Sequence, residues 1–192
     1  QVYSYEMECY LEKIKSEKNM RLLTILFFFV IISGCASTYK TDSYVAPVHI
    51  MKVNASAYIM MAEDGNYGSI PYPGSGNFLS SATRNAVLFH LKRVEKATHV
   101  ETIEAALSRA KEMRLTYVFN PTILHWEDRA TEWSGKLDRI AIKLIVLDVE
   151  SGKNISSTVL SAASKWATFG GDHPEDLLSG TITLYINKLF NK

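Results

Sequence analysis

The sequence predicts an α+β domain: a mixed sheet with helices packed on it, in the element order β α β α β β β α. Three observations carry that expectation. Apolar residues recur at three- and four-residue spacing in three separated segments, the periodicity of helices that bury one face. Short runs rich in β-branched and aromatic residues stand between and after them. The last two such runs are joined by a tight turn and lead into the third helix, so an alternating first half ends in a meander and a terminal helix.

Taken in order, residues 36–47, "ASTYKTDSYVAP", are small and polar with no periodic apolar face, and read as a tether. The globular domain then runs from 48 to 192, with no internal repeat and no second domain. "ASAYIMMA", from Ala55, is the first strand, and the Gly and Pro of "EDGNYGSIPYPGSG" mark a long turn. Asn77 to Val94 places Leu79, Ala82, Ala86, Leu91 and Val94 near one helical face, with Ser75 or Ser80 available as cap. "THVET" is a short strand, and Thr102 caps a helix in which Ile103, Ala106, Leu107, Ala110 and Met113 share a side. "TYVFNPTILHW" is a strand in which Pro121 marks a bulge or an edge. "RIAIKLIVLDV" is nearly continuously apolar, as in a strand covered on both faces, and "ESGK" turns it into "NISSTVLSAASKWAT". Asp172 or His173, with Pro174 in the first turn, opens the last helix, which buries Leu178, Ile182, Tyr185, Ile186 and Leu189.

Ahead of the domain, "RLLTILFFFVIISGC" is an apolar run of the length of a signal-peptide h-region, too short for a spanning helix that needs roughly 20 residues. Arg21 precedes it, and the small residues Ser33 and Gly34 lead into Cys35. "ISGC" resembles the lipobox of bacterial lipoprotein precursors. That resemblance implies that residues 1–34 are a signal region, with a start at Met20 or at Met7, and that Cys35 is the lipidated first residue of the mature chain. Ala36, in place of Asp, implies sorting to the outer membrane, facing the periplasm.

The chain carries 21 Lys and Arg against 20 Asp and Glu, interspersed, so no basic stripe meets a nucleic-acid backbone. Of its two cysteines, Cys9 would be removed and Cys35 blocked by lipid, which excludes a disulfide, thiol catalysis and cysteine-ligated zinc. Chemistry-bearing side chains concentrate in "HWEDRATEWSG". On a continuing strand His125 and Glu127 share one face and are weak candidates for a metal or for an acid–base pair, against the simpler reading of a polar strand end. Trp126, Arg129, Glu132 and Trp133 are of the types that dominate interface hot spots and are the partner-binding candidates, core packing of a Trp being the rival reading. Gly74, Ser75 and Gly76 precede a helix and are weak candidates for an anion cradle, without the Lys of a P-loop. No Gly-x-Ser-x-Gly nucleophile elbow occurs, and no cofactor is implied.

The element order, the helix after a Gly-rich turn and the "LDVESGK" hairpin resemble the fold shared by the TolB N-terminal domain, the curli secretion lipoprotein and the lipoprotein activators of penicillin-binding proteins. "ILHWEDRATEWSGKLDRI" with "VLDVESGK" is similar to a family of small proteobacterial lipoproteins known as a domain of unknown function. These resemblances imply an envelope lipoprotein that binds or assembles with another envelope protein or a cell-wall component, with homo-oligomers possible, rather than an enzyme. The alternative is a metal-dependent or acid–base envelope enzyme centred on residues 125–132.

Overall fold

In a computed structural model, residues 18, 37–47, 49–128, 137–164 and 173–190 are described. The chain divides into two units, Gln1–Ala36 and Ser37–Lys192. The described strands of the second unit are β1 (Thr38–Val45), β2 (Ser56–Ile59), β3 (Gly65–Tyr67), β4 (Ile70–Tyr72), β5 (Arg93–Lys96), β6 (Tyr117–Glu127), β7 (Arg139–Asp148) and β8 (Asn154–Ala163). Its helices are α1 (Ser75–Leu88), α2 (Ile103–Glu112) and α3 (Asp176–Phe190).

Six strands form one mixed sheet in the order β1-β8-β7-β6-β2-β5, and β3 and β4 form a separate hairpin. β2 pairs in parallel with β5 and β6, and the meander β6-β7-β8 and β1 are antiparallel. Alternation along β2 explains the layering. Ala57 and Ile59 point to a core shared with α1 and α3, whereas Tyr58 and Met60 point to a second core shared with α2. The first core holds Leu79 and Ala86 of α1 and Leu178, Ile182, Ile186 and Leu189 of α3, residues whose spacing marked those faces, and also Val87, which that spacing did not single out. Thr102 caps α2 as the sequence indicates, its Oγ1 accepting from the Ala105 N–H at 3.3 Å.

Several local expectations are corrected. Within the stretch read as a tether, Thr38–Val45 is an edge strand that pairs with β8 from Thr38↔Ala163 to Val45↔Ser157. Its polar sequence lacks an apolar stripe because only Tyr39 and Tyr44 need partners: Tyr39 lies against Gly180 and Tyr44 stands edge-on to Tyr185 at 6.0 Å. Two buried β8 hydroxyls reach across to its carbonyls, Thr158 to Ser43 at 2.7 Å and Ser156 to Val45 at 2.8 Å. The first helix ends at Leu88 rather than Val94, and the next strand is Arg93–Lys96 rather than "THVET", because Ser56–Ile59 pairs with 93–96 in register. The long turn contains the β3–β4 hairpin. β7 alternates buried and half-buried residues instead of being covered on both faces. Pro121 sits opposite Leu144 of β7 in the part of β6 beyond the β2 pairing, which ends at Phe119, so its missing N–H costs no pairing with β2.

Candidate functional site

The C-terminal end of β6 carries the residues singled out by chemistry. Tyr117, Phe119 and Ile123 face the α1–α3 core, and strict alternation would next send His125 inward. A bulge between Ile123 and His125 shifts the phase by one, so Trp126 enters the core and His125 and Glu127 share the other face. Gly65 of β3 makes room for that Trp: a Cβ there would lie 2.8 Å from the Trp126 Cβ.

His125 Nε2 lies 3.4 Å from Glu127 Oε2, and the ring is met edge-on by Tyr67 at 5.6 Å. Glu127 is only 2% exposed. Beside the pair, the Tyr72 hydroxyl donates to the Asp128 carbonyl at 3.2 Å, and His173 Nδ1 approaches the Asp128 carboxylate at 4.0 Å. The β6 end, the hairpin and the segment before α3 therefore meet in one polar rim. Chemically the rim offers two imidazole–carboxylate pairs; among the described residues no group of three His, Cys, Asp or Glu is placed to hold a metal ion.

Two candidate sets are revised. Trp126, a partner-contact candidate, is 2% exposed and belongs to the core, so it has no face to offer a partner. Arg129, Glu132 and Trp133 lie outside the described residues, as does Cys35. The cradle of Gly74, Ser75 and Gly76 is real in geometry but already filled. The Asp64 carboxylate accepts from the Gly74 N–H at 3.0 Å and the Gly76 N–H at 2.9 Å, while Ser75 Oγ accepts from the Gly65 N–H at 2.8 Å and donates to the Tyr72 carbonyl at 2.7 Å. The helix thus takes its capping carboxylate from ten residues upstream; Ser80, the other cap candidate, lies inside α1 and accepts from the Ala62 N–H at 2.9 Å. Gly76 is required by space, since a Cβ there would lie 2.2 Å from the Ala62 carbonyl oxygen. At α3 the cap is shorter-ranged: the Asp176 carboxylate accepts from the His173 N–H at 3.0 Å.

One buried ionic group had no local signal in the sequence. Glu101, just before the cap of α2, accepts from the Tyr58 hydroxyl and from Arg109 Nε at 3.3 Å. Burial, and then the Glu101 carboxylate beside it, push the Tyr58 phenol up to about 12. Its partners lie 43 and 8 residues apart in the chain, and only the α2 face packed on β2 brings the three together.

Residues 50–189 match a protein family described as Domain of unknown function (DUF4823). No curated protein matches the chain in sequence. Among solved structures, the chain is similar to a PelC dodecamer from Paraburkholderia phytofirmans, with 13% identity, a TM-score of 0.63, and 82% of this chain and 99% of that chain covered. A leucine-to-methionine variant of PelC from the same organism gives 14% identity and a TM-score of 0.60, over 82% and 100% of the two chains. A lipoprotein of Neisseria meningitidis, GNA1162, gives 15% identity and a TM-score of 0.45, over 72% and 99%. Identities this low establish a shared fold with PelC and nothing of its activity.

Proposed function

The chain belongs to the family described as Domain of unknown function (DUF4823), and we propose that it is a lipid-anchored envelope protein that acts as a binding or assembly module. The anchor is Cys35, at the end of an apolar run and behind Ser33 and Gly34, in the outer membrane and facing the periplasm. The partner is another envelope protein or a cell-wall component, contacted through Arg129, Glu132 and Trp133.

The observation that carries the assembly half of this reading is the fold itself. It matches, over almost the whole of that chain, a protein solved as a dodecamer, and among the described residues its sheet ends in the edge strands β1 and β5, each paired on one side only. Light scattering on the mature chain tests assembly; a strictly monomeric protein across the micromolar range counts against it. Metabolic labelling with a palmitate analogue tests the anchor: label enters the parent chain and not Cys35→Ser, and label retained by the variant removes Cys35 from the reading. Crosslinking in intact envelopes tests the partner surface. Trp133→Ala keeps the fold and loses the adduct, whereas an unfolded variant places Trp133 in the packing instead.

A further inference from the structure

α1 and α3 lie side by side over the first core, and their outward surface carries exposed apolar side chains, Phe78 and Leu88 on α1 and Leu184 on α3. Phe78, Ala82, Asn85 and Phe89 recur at four, three and four residues, forming one stripe of α1 beside a groove of about 280 Å³ whose far wall includes Leu178 and Thr183 of α3. Phe89, just past the end of α1, is 87% exposed. Val53, on the loop tied to that corner by the Asn54 N–H to His90 carbonyl bond of 3.2 Å, is 60% exposed. On the other flank of α3, Leu184 is exposed beside Tyr39 and Thr41 of β1.

Charge on this surface has one dominant sign. No Asp or Glu occurs from His49 to Ala62 or from Gly65 to Val94, a span that contributes Lys52, Arg84, Lys92 and Arg93. Glu175, which lines part of the groove, and the exposed Asp176 that opens α3 are acidic exceptions. Lys188 of α3 lies over the Tyr44 ring at 5.6 Å and adds to the basic side. Lys92 forms no ion pair among the described residues, Lys52 lies near enough to Asp148 to help hold that carboxylate below its usual range, and Arg93 pairs with Glu95 at 3.0 Å. Exposed Phe and Leu interspersed with Lys is the composition that seats a surface in the headgroup layer of an anionic bilayer.

Chain length fixes how near that bilayer is. β1 borders α3 and begins at Thr38, so only Ala36 and Ser37 separate it from Cys35, a reach of roughly 11 Å. We propose that the α1–α3 face is a bilayer-docking surface, with Phe78, Phe89 and Val53 entering the headgroup region and Lys52, Lys92 and Lys188 meeting anionic headgroups. The nearness of the bilayer rests on the Cys35 reading above; the surface itself does not.

The test uses the Ser37–Lys192 unit, which holds the described six-stranded sheet, α1 to α3 and both cores and lacks Cys35, so binding is read without the anchor. It is co-sedimented with vesicles of phosphatidylethanolamine and phosphatidylglycerol, and with vesicles of phosphatidylcholine alone. Partition is expected to the anionic vesicles, at least tenfold weaker for Phe78→Ser combined with Phe89→Ser. Lys52→Glu and Lys92→Glu each weaken it about fivefold at low salt, with the difference shrinking as salt is raised. Melting temperatures matching the parent keep these losses assignable to the surface. A unit that stays in the supernatant, or that binds regardless of the Phe and Lys substitutions, overturns the proposal. Absence of palmitate label at Cys35 would remove the anchor and leave the vesicle result standing.

Discussion

The carboxylate of Asp64 accepts the Gly76 N–H at 2.9 Å, so the nest of free amides ahead of α1 is filled by the chain's own anion. The same carboxylate takes the Gly74 N–H, and Gly74 is in the left-handed region at φ 90°, which a side chain would strain.

Asp64→Ala should therefore cost about 1–2 kcal/mol, the usual loss of a helix cap, with Asp64→Asn recovering part of it. Urea denaturation measures both. Gly76→Ala should cost more than either, since its methyl meets the rigid Ala62 carbonyl rather than a side chain that can turn away. An Asp64→Ala domain as stable as the parent would show that the cap is idle.

Trp126→Ala should destabilise the domain by about 3–5 kcal/mol, as an aromatic removed from a close-packed core does. Gly65→Ala should destabilise it too, and shift the Trp emission, because the added methyl meets Trp126 and Ile123. A Trp126→Ala variant with unchanged melting would place that side chain at a surface instead.

Alkaline titration should find Tyr58 ionising late. Its folded pKa of about 12 lies above the ordinary tyrosine value of 10.0, so the neutral phenol is the form that folding favours. The stability this contributes is intact below pH 10 and is lost as pH rises toward 12. Tyr185, buried and hydrogen-bonded to Ser156 at 2.9 Å, is shifted in the same direction mainly by burial. Absorbance of tyrosinate against pH reads the late groups directly, and Tyr58→Phe should remove one of them. A Tyr58 that titrates near pH 10 contradicts the buried contact with Glu101.

Removal of residues 37–45 should lower stability and promote aggregation. It uncovers the β8 edge and strips the Ser156 and Thr158 hydroxyls of the carbonyls they bond. Thr158→Val alone should cost about 1 kcal/mol. Hydrogen exchange gives a second reading: amides in 38–45 that pair with β8 exchange slowly, whereas a free tether would exchange at once.

Much of this architecture was legible in the order of residues, and the misses share a cause. α2 was readable in its cap Thr102 and in its apolar face from Ile103 to Ala110, which are set within a few residues, although it ends at Glu112 and leaves Met113, read as part of that face, exposed. The β7–β8 hairpin was readable because its turn is local; the Asp148 carboxylate, held below its usual range chiefly by the Ser151 hydroxyl, organises that turn within four residues. β1 was not readable. "TYKTDSYV" has strand formers in Thr, Tyr and Val but no apolar alternation to mark a buried face, and β8, 115 residues away at the Thr158–Ser43 bond, supplies the edge it pairs with. Within the candidate site, the shared face of His125 and Glu127 followed from strand alternation, but the burial of Trp126 did not, since a single-residue bulge reverses the alternation without any local marker.

The sequence by itself determined the α+β class, the amphipathic faces of the helices and the clustering of polar chemistry at 125–128, because periodicity and capping act over a few residues. Only the tertiary structure decided that Asp64 fills the cradle, that Trp126 turns inward, that Glu101 meets Tyr58, and that a polar tether becomes the sheet's edge. Each of those outcomes depends on a partner brought close by folding rather than by the chain. The contact then satisfies a buried hydrogen-bonding group or fills space, and the residue's own type does not say which.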